Sequence, residues 1–250
     1  MSETVCQRKT ANNIAKVRAR IQQAAVENSR DVNSIRLLAV SKTRSSGNVR
    51  EAFAAGISDF GENYAQEAES KIKELADLPL IWHFIGPVQS NKTEIIAEHF
   101  AWLHSLDRLK IAERLSRQRQ AHQAPLNVCI QVNIDSESSK SGIKPAELPG
   151  FAAELVKLPH LMLRGLMVIP LPLLQTTPES KDQLKCSLSR MRELFQALQQ
   201  QFPKQQFPQL TIDTLSMGMS ADLELAIAEG STLVRVGTDI FGSRQGHHQD

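Results

Sequence analysis

Apolar runs of strand length alternate with amphipathic stretches of helical length along most of the chain. The runs are short and rich in Leu, Ile and Val, which predicts strands at 36–41, 59–61, 80–85, 101–105, 127–132, 162–167, 211–216 and 233–236. The stretches between them predict helices at 47–55, 62–75, 90–99, 109–120, 145–158, 183–201 and 220–229. Strands separated by helices pair in parallel, because each parallel crossover needs a covering element.

Eight such units indicate an α/β fold with one closed (β/α)8 TIM barrel, a single domain over residues 1–250. The chain ends soon after the eighth strand, so we expect no helix there and a frayed tail at 245–250. An N-terminal helix within residues 1–30 is expected to pack on the barrel and fill that place in the outer ring. Its apolar positions follow a helical spacing: Ile14, Val17, Ile21 and Ala25.

The alternative fold is a doubly wound open sheet. Such a sheet needs a glycine-rich phosphate loop after its first strand. Neither GxGxxG nor GxxxxGK(S/T) occurs in the sequence, which favours the barrel.

Composition narrows the classes of partner. The 29 Lys and Arg residues nearly balance the 27 Asp and Glu residues, and the net charge of +2 favours neither nucleic acid nor an anionic membrane as a partner. We find no apolar leader and no stretch long enough to span a bilayer. Cys6, Cys129 and Cys186 are far apart and fit neither a disulfide framework nor a zinc site. A cytoplasmic protein without a metal is expected.

Lys42 closes the first apolar run and is the first candidate for chemistry. Burial at a strand end would disfavour its ammonium form, lower its pKa and leave a nucleophilic amine suited to a Schiff base. The alternative is a lysine that marks the strand end and extends to water.

The ends of strands seven and eight are the usual phosphate site of this fold. Ser216 offers a hydroxyl, Gly237 permits close approach to backbone N–H groups, and Thr238 adds a hydroxyl. The alternative is a pair of tight turns that need Gly and Ser. A Schiff-base aldolase also combines a strand-end lysine with a phosphate site, and Glu62 would be its proton shuttle.

Six segments carry a family resemblance. They are 39–43 (AVSKT), 60–64 (FGENY), 82–92 (WHFIGPVQSNK), 139–143 (SKSGI), 215–220 (LSMGMS) and 234–242 (VRVGTDIFG). They resemble the pyridoxal phosphate homeostasis protein family, also called the YggS or proline synthetase co-transcribed family. The resemblance runs from about residue 35 to 244, and it implies the barrel of the alanine racemase N-terminal domain type without that enzyme's second β domain.

The resemblance also implies a cofactor site for pyridoxal 5′-phosphate (PLP). Lys42 would hold PLP covalently, Ser216, Gly237 and Thr238 would hold the phosphate, and Arg235 would face the pyridine nitrogen. Two further residues match motif positions that line the mouth, Asn63 and His83. For His83, a hydrogen-bonded core histidine is an equal alternative.

The implied function is PLP homeostasis by buffering or delivery, without catalysis. A permanently charged Arg235 disfavours protonation of the pyridine ring, and the one tyrosine, Tyr64, is expected on a helix surface instead of serving as a second base. A low-activity PLP-dependent racemase is the alternative. The expected partners are PLP and PLP-dependent apo-enzymes, and the expected state is a monomer.

For Lys140 and for the Pro-rich stretch 170–181, the sequence allows two interpretations each. Lys140 could reach an anion at the mouth or accept PLP transiently, although a solvated loop lysine is the simpler interpretation. The Pro-rich stretch 170–181 could be a surface loop or a lid over the mouth.

Overall fold

A computed structural model, which describes residues 2–135, 141–170 and 177–243, shows a closed barrel of eight parallel strands. Every strand pairs with the next along the chain, and β1 pairs with β8 to close the barrel. The strands are β1 Arg36–Val40, β2 Asp59–Glu62, β3 Ile81–Phe84, β4 Trp102–Leu106, β5 Leu126–Gln131, β6 Leu161–Met167, β7 Thr214–Ser216 and β8 Leu233–Val236. The predicted fold is confirmed.

Helices cover the outside of the barrel and follow the strands in alternation. They are α1 Ser2–Glu27, α2 Ser46–Ala54, α3 Ala65–Glu74, α4 Thr93–His99, α5 Leu109–Gln118, α6 Leu148–Leu155, α7 Pro178–Gln201, α8 Leu223–Ala228 and α9 Thr238–Phe241. No helix among these described elements is long and apolar enough to cross a membrane.

The expectation that no helix follows the last strand is wrong, because the single-turn helix α9 follows β8. The carbonyl of Gly237 accepts hydrogen bonds from Ile240 and Phe241, and Gly242 ends the turn with a φ of 83°. A four-residue helix is too short to produce a periodic pattern. The N-terminal helix α1 packs against α9, α8 and α2, so it lies in the outer ring where we expected it.

Side chains alternate between the inside and the outside of the barrel wall. Along β1 and β8, Ala39, Val234 and Val236 belong to the main core between strands and helices, whereas Leu38 and Leu233 form a separate cluster. Inward-facing residues of other strands are polar and form hydrogen bonds across the barrel, as described below. The barrel interior is therefore partly polar, and its carboxyl end opens to a pocket.

Candidate functional site

Five of the seven candidate residues line one pocket at the carboxyl ends of the strands. The pocket has a volume of about 320 Å³, within the range of small-molecule sites. Its lining comprises the candidates Lys42, Asn63, Arg235, Gly237 and Thr238, together with Val40, Ile85, Ile169, Met219, Ser220 and Ala221. The strand-end positions of the sequence thus meet where the fold places ligands.

Lys42 lies two residues beyond β1 in a tight turn and is half-buried. The N–H of Arg44 donates to the carbonyl of Ser41 at 3.0 Å, and the N–H of Thr43 donates to Oε1 of Glu67 at 2.7 Å. Thr43 has a φ of 62°, a left-handed conformation that is unfavourable for a β-branched residue. The turn thus holds Lys42 at the rim of the pocket at a cost in backbone strain.

A buried ion pair lies behind this turn. Nζ of Lys71 contacts Oε1 of Glu62 at 2.6 Å and donates to the carbonyl of Ser41 at 2.9 Å, and the Ser41 hydroxyl donates to the same Glu62 oxygen at 2.6 Å. Burial raises the pKa of Glu62, and Lys71 opposes that shift. Glu62 does not line the pocket, so it is poorly placed as the proton shuttle of an aldolase.

Lys71 was missed from the sequence. The spacing Ala65, Ala68, Lys71 puts the lysine on the buried face of α3, and this was the available signal. A lysine on such a face needs a buried partner.

Asn63 follows β2 and presents a buried acceptor. Its amide oxygen Oδ1 has no hydrogen-bond partner within the described ranges. Gly86, just after β3, packs against the backbone of Asn63, because a Cβ on Gly86 would lie 2.2 Å from the carbonyl oxygen of Asn63. Asn63 is therefore held firmly with an amide oxygen that a ligand can satisfy.

Arg235 places a cation in the lining of the pocket. Its Nη1 donates to the Ser216 hydroxyl at 2.8 Å, and its Nη2 donates to the carbonyl of Val168 at 2.9 Å. Burial lowers the pKa of Arg235 to about 10, so the guanidinium stays charged at neutral pH.

The anion-binding side of the pocket comprises residues after β7 and β8. The backbone N–H groups of Ser220, Ala221, Gly237 and Thr238 donate to no oxygen in the part of the chain that the structure describes. No carboxylate is among the described residues that line the pocket. Unpaired N–H groups without a competing negative charge suit an anion such as a phosphate.

Ser216 and His83 do not line this pocket. Ser216 is buried beneath Arg235, and its hydroxyl also contacts Nδ1 of His104 at 2.9 Å. His83 is fully buried inside the barrel, where its Nε2 lies 2.9 Å from Oδ1 of Asp59 at the amino end of β2. This placement matches a core histidine and departs from a mouth-lining one, because the ring extends toward the start of β2.

His104 was also missed from the sequence. It is the central residue of β4, between Leu103 and Ser105, so it could have been recognised as a polar side chain inside a buried strand. Tyr64 is 55% exposed and does not line the pocket. Lys140, the tail at 245–250 and half of the Pro-rich stretch, residues 171–176, lie outside the described residues. The end of that stretch, residues 178–181, is the first turn of α7 and not a loop.

Comparisons with known proteins agree with this geometry. The family model of the alanine racemase N-terminal domain matches residues 8–245. The pyridoxal phosphate homeostasis protein of Pseudomonas aeruginosa is 58% identical over 234 residues, which cover 94% of this chain and 95% of that protein. The pyridoxal phosphate homeostasis protein of Escherichia coli K12 is 50% identical over 238 residues, covering 94% and 96%.

Solved structures extend the comparison. PipY of Synechococcus elongatus with PLP bound has a TM-score of 0.76 and 40% identity, covering 93% of this chain and 100% of PipY. Alanine racemase of Corynebacterium glutamicum has a TM-score of 0.68 at 15% identity, covering 98% of this chain and 64% of the racemase, and shows a shared fold. The chain belongs to the pyridoxal phosphate homeostasis protein family, within the family of the alanine racemase N-terminal domain.

Proposed function

We propose that this chain binds PLP reversibly as a Schiff base on Lys42 and serves PLP homeostasis by buffering or delivering the cofactor. The observation that carries the proposal is the meeting of Lys42, Arg235, Gly237 and Thr238 in one pocket. The homeostasis proteins named above and the PLP-bound state of PipY support it.

The residues present fit PLP. The unpaired N–H groups of Gly237 and Thr238 would receive the phosphate, and the unsatisfied amide oxygen of Asn63 would accept a hydrogen bond from the ligand. Bound PLP supplies an aldehyde that condenses with a lysine amine, with loss of water, and a ring that can withdraw electrons. Lys42 supplies the amine from the same lining.

Arg235 supports a role without catalysis. A guanidinium with a pKa of about 10 would donate a hydrogen bond to a ring nitrogen and would keep its proton at neutral pH. An unprotonated pyridine ring is a weaker electron sink, so chemistry at an amino-acid α-carbon would be slow.

A second acid–base group opposite Lys42 is not evident in the described lining. Tyr64 is exposed and lies outside the lining, and Glu62 is engaged by Lys71. This arrangement supports binding and release over racemisation, which needs a proton donor and acceptor on opposite faces of the substrate. A low-activity racemase remains the second candidate, because Lys42 itself is a potential base.

The first test is the absorbance spectrum of purified protein after incubation with PLP. We expect a yellow protein whose adduct is trapped by borohydride, and we expect Lys42→Ala to abolish both colour and trapping. Lys157→Ala is the matched control, since Lys157 is an exposed lysine paired with Glu154. A Lys42→Ala protein with an unchanged spectrum would rule out the assignment of Lys42.

A second test separates a carrier from an enzyme and from an aldolase. We expect transfer of PLP from the loaded protein to a PLP-dependent apo-enzyme. We also expect amino-acid turnover well below about 1 per second, the low end of ordinary enzymes. Turnover at or above that rate would contradict the carrier role, and a colourless protein with aldol activity would favour the aldolase.

A further inference from the structure

A column of polar side chains connects the pocket to the opposite end of the barrel. Oδ1 of Asp59 lies 2.9 Å from Nε2 of His83, and Nδ1 of His83 lies 2.9 Å from Nε2 of His104. Nδ1 of His104 lies 2.9 Å from the Ser216 hydroxyl, which accepts a hydrogen bond from Arg235 at 2.8 Å. Five strands contribute one residue each, and four of the five residues are buried.

The charge of Asp59 sets the direction of these hydrogen bonds. His83 and Arg36 hold the pKa of Asp59 below its ordinary value against the effect of burial, so Asp59 is a carboxylate that only accepts. Nε2 of His83 must therefore donate to Asp59. Burial lowers the pKa of both histidines, which keeps the rings neutral with one N–H each.

The donor at His83 then determines which nitrogen donates and which accepts in His104. With its proton on Nε2, His83 accepts at Nδ1, and Nε2 of His104 must be the donor to it. Nδ1 of His104 therefore accepts, and the Ser216 hydroxyl donates its proton to it. The Ser216 oxygen keeps its lone pairs for the N–H of Arg235.

We propose that Asp59, His83 and His104 form a positioning relay that fixes the Ser216 hydroxyl as an acceptor and thereby orients the Arg235 guanidinium in the pocket. The proposal deepens the proposed function, because the task of Arg235 toward PLP rests on it. The three residues touch neither ligand nor reacting atoms; they act through Ser216.

The energetics indicate a purpose beyond packing. A polar column inside a barrel is costly unless every member is paired, and apolar side chains of similar volume would fill the space without that requirement. Here each ring nitrogen of His83 and His104 has a hydrogen-bond partner. The last member of the column, Ser216, and the carbonyl of Val168 each accept a hydrogen bond from Arg235. Two fixed acceptors define the plane of the guanidinium, which a single acceptor would not.

The first test needs no cofactor. In ¹⁵N-labelled protein without PLP, we expect His83 and His104 to be neutral with the proton on Nε2 at pH 7. Exposed His122 is the control, and it should show the mixed tautomers of a solvated histidine. A proton on Nδ1 of either buried ring, or a charged ring, would overturn the relay.

The second test reports on Arg235 from the far end of the column. Asp59→Asn replaces an obligate acceptor by an amide that donates or accepts, so the two rings should lose their single tautomer. We expect the Nη signals of Arg235, separate and slowly exchanging in the parent protein, to broaden or merge. Arg235 signals that stay unchanged while the ring tautomers change would contradict the relay.

The third test uses PLP affinity and a conservative rescue. His104→Leu removes both hydrogen bonds and should raise the PLP dissociation constant about tenfold, the equivalent of one net hydrogen bond. His104→Gln retains a donor and an acceptor and should recover part of the affinity, and His122→Leu should change nothing. Equal losses in His104→Leu and His104→Gln would indicate packing alone.

The two proposals fail separately. Parent protein that binds no PLP but shows the expected tautomers would refute the proposed function and leave the relay standing. Parent protein that binds PLP on Lys42 with a different tautomer pattern would refute the relay alone.

Discussion

Arg235 is the residue at which the binding site and the barrel interior meet. Its guanidinium lines the pocket, while Ser216 and Val168 hold it from below. It is charged, buried and twice anchored, and it would discourage carbanion chemistry on a bound pyridine ring. Under the proposed function, this single side chain would limit the chemistry that the pocket permits.

Reversing the charge at this position should change the spectrum of the PLP-loaded protein. Arg235→Glu places a carboxyl group beside the ring, which favours a protonated pyridine and a stronger electron sink. We expect new long-wavelength absorbance when an amino acid is added. Arg235→Lys keeps the charge and should not show it; identical spectra for all three proteins would mean that Arg235 does not contact the ring.

His104 should make the fold sensitive to mild acid. Burial lowers its pKa well below 6.5, so the unfolded chain binds a proton that the folded protein excludes. The free energy of unfolding is therefore not reduced by this group above about pH 6.5. It falls as the pH drops from there toward the folded-state pKa of His104, by up to about 1.4 kcal/mol per pH unit. Denaturant unfolding of the parent and of His104→Gln between pH 7.5 and 5 measures how the unfolding free energy depends on pH. The same pH dependence in both proteins would contradict the role given to His104.

At the scale of elements, the strand ends matter most, because loops that follow them carry the site. The end of β3 shows how closely they pack: Gly86 lies against the backbone of Asn63, and a side chain has no room there. The position of Asn63 therefore depends on a glycine from a neighbouring element.

Gly86→Ala should displace Asn63 and lower both stability and PLP affinity. A Cβ at 2.2 Å from a backbone oxygen forces a shift, and overpacking of this kind costs about 1–3 kcal/mol. Gly150→Ala in α6 is the matched control, since nothing lies within 4 Å of its Cβ position, and a gain of about 0.5–1 kcal/mol is expected. Similar unfolding free energies for the two variants would argue against the close packing.

The sequence predicted elements well where strands and helices alternate regularly. All eight strands were located, because short apolar runs separated by helical stretches leave one arrangement of parallel strands. The start of α3 was placed too early, since β2 continues through Glu62, and α9 was missed because one turn has no period.

Side-chain networks were beyond the reach of the sequence pattern. The five lining candidates follow from their positions at strand ends, which the fold brings together. The contacts of His83, His104 and Ser216 depend on which face of each strand points inward and on the distance across the closed barrel. The buried pair of Glu62 and Lys71 likewise joins a strand to a helix face. These are tertiary facts that periodicity does not encode.

At the scale of the whole molecule, one barrel carries every described residue of the pocket. Lining residues come from β1 and β8 and from the regions after β1, β2, β3, β6, β7 and β8, all within one chain. Because one chain supplies the residues of the proposed site, we keep the prediction of a monomer.

We expect sedimentation of a monomer of 27.8 kDa both with and without PLP. The physical reason is that the groups proposed to bind PLP, namely Lys42, Arg235 and the N–H groups of Gly237 and Thr238, all belong to one chain. Analytical ultracentrifugation over a range of concentrations measures this. A dimer that strengthens when PLP binds would contradict it and would point to a shared site.

The strained turn at Thr43 implies a trade-off between durability and positioning. Threonine at a φ of 62° is less stable than glycine would be by about 1 kcal/mol or more, so replacement by glycine should make the protein harder to denature. Glycine would also free the backbone next to Lys42. If Lys42 binds PLP as proposed, the lower melting temperature at this position would accompany a lysine that is already oriented before its ligand binds.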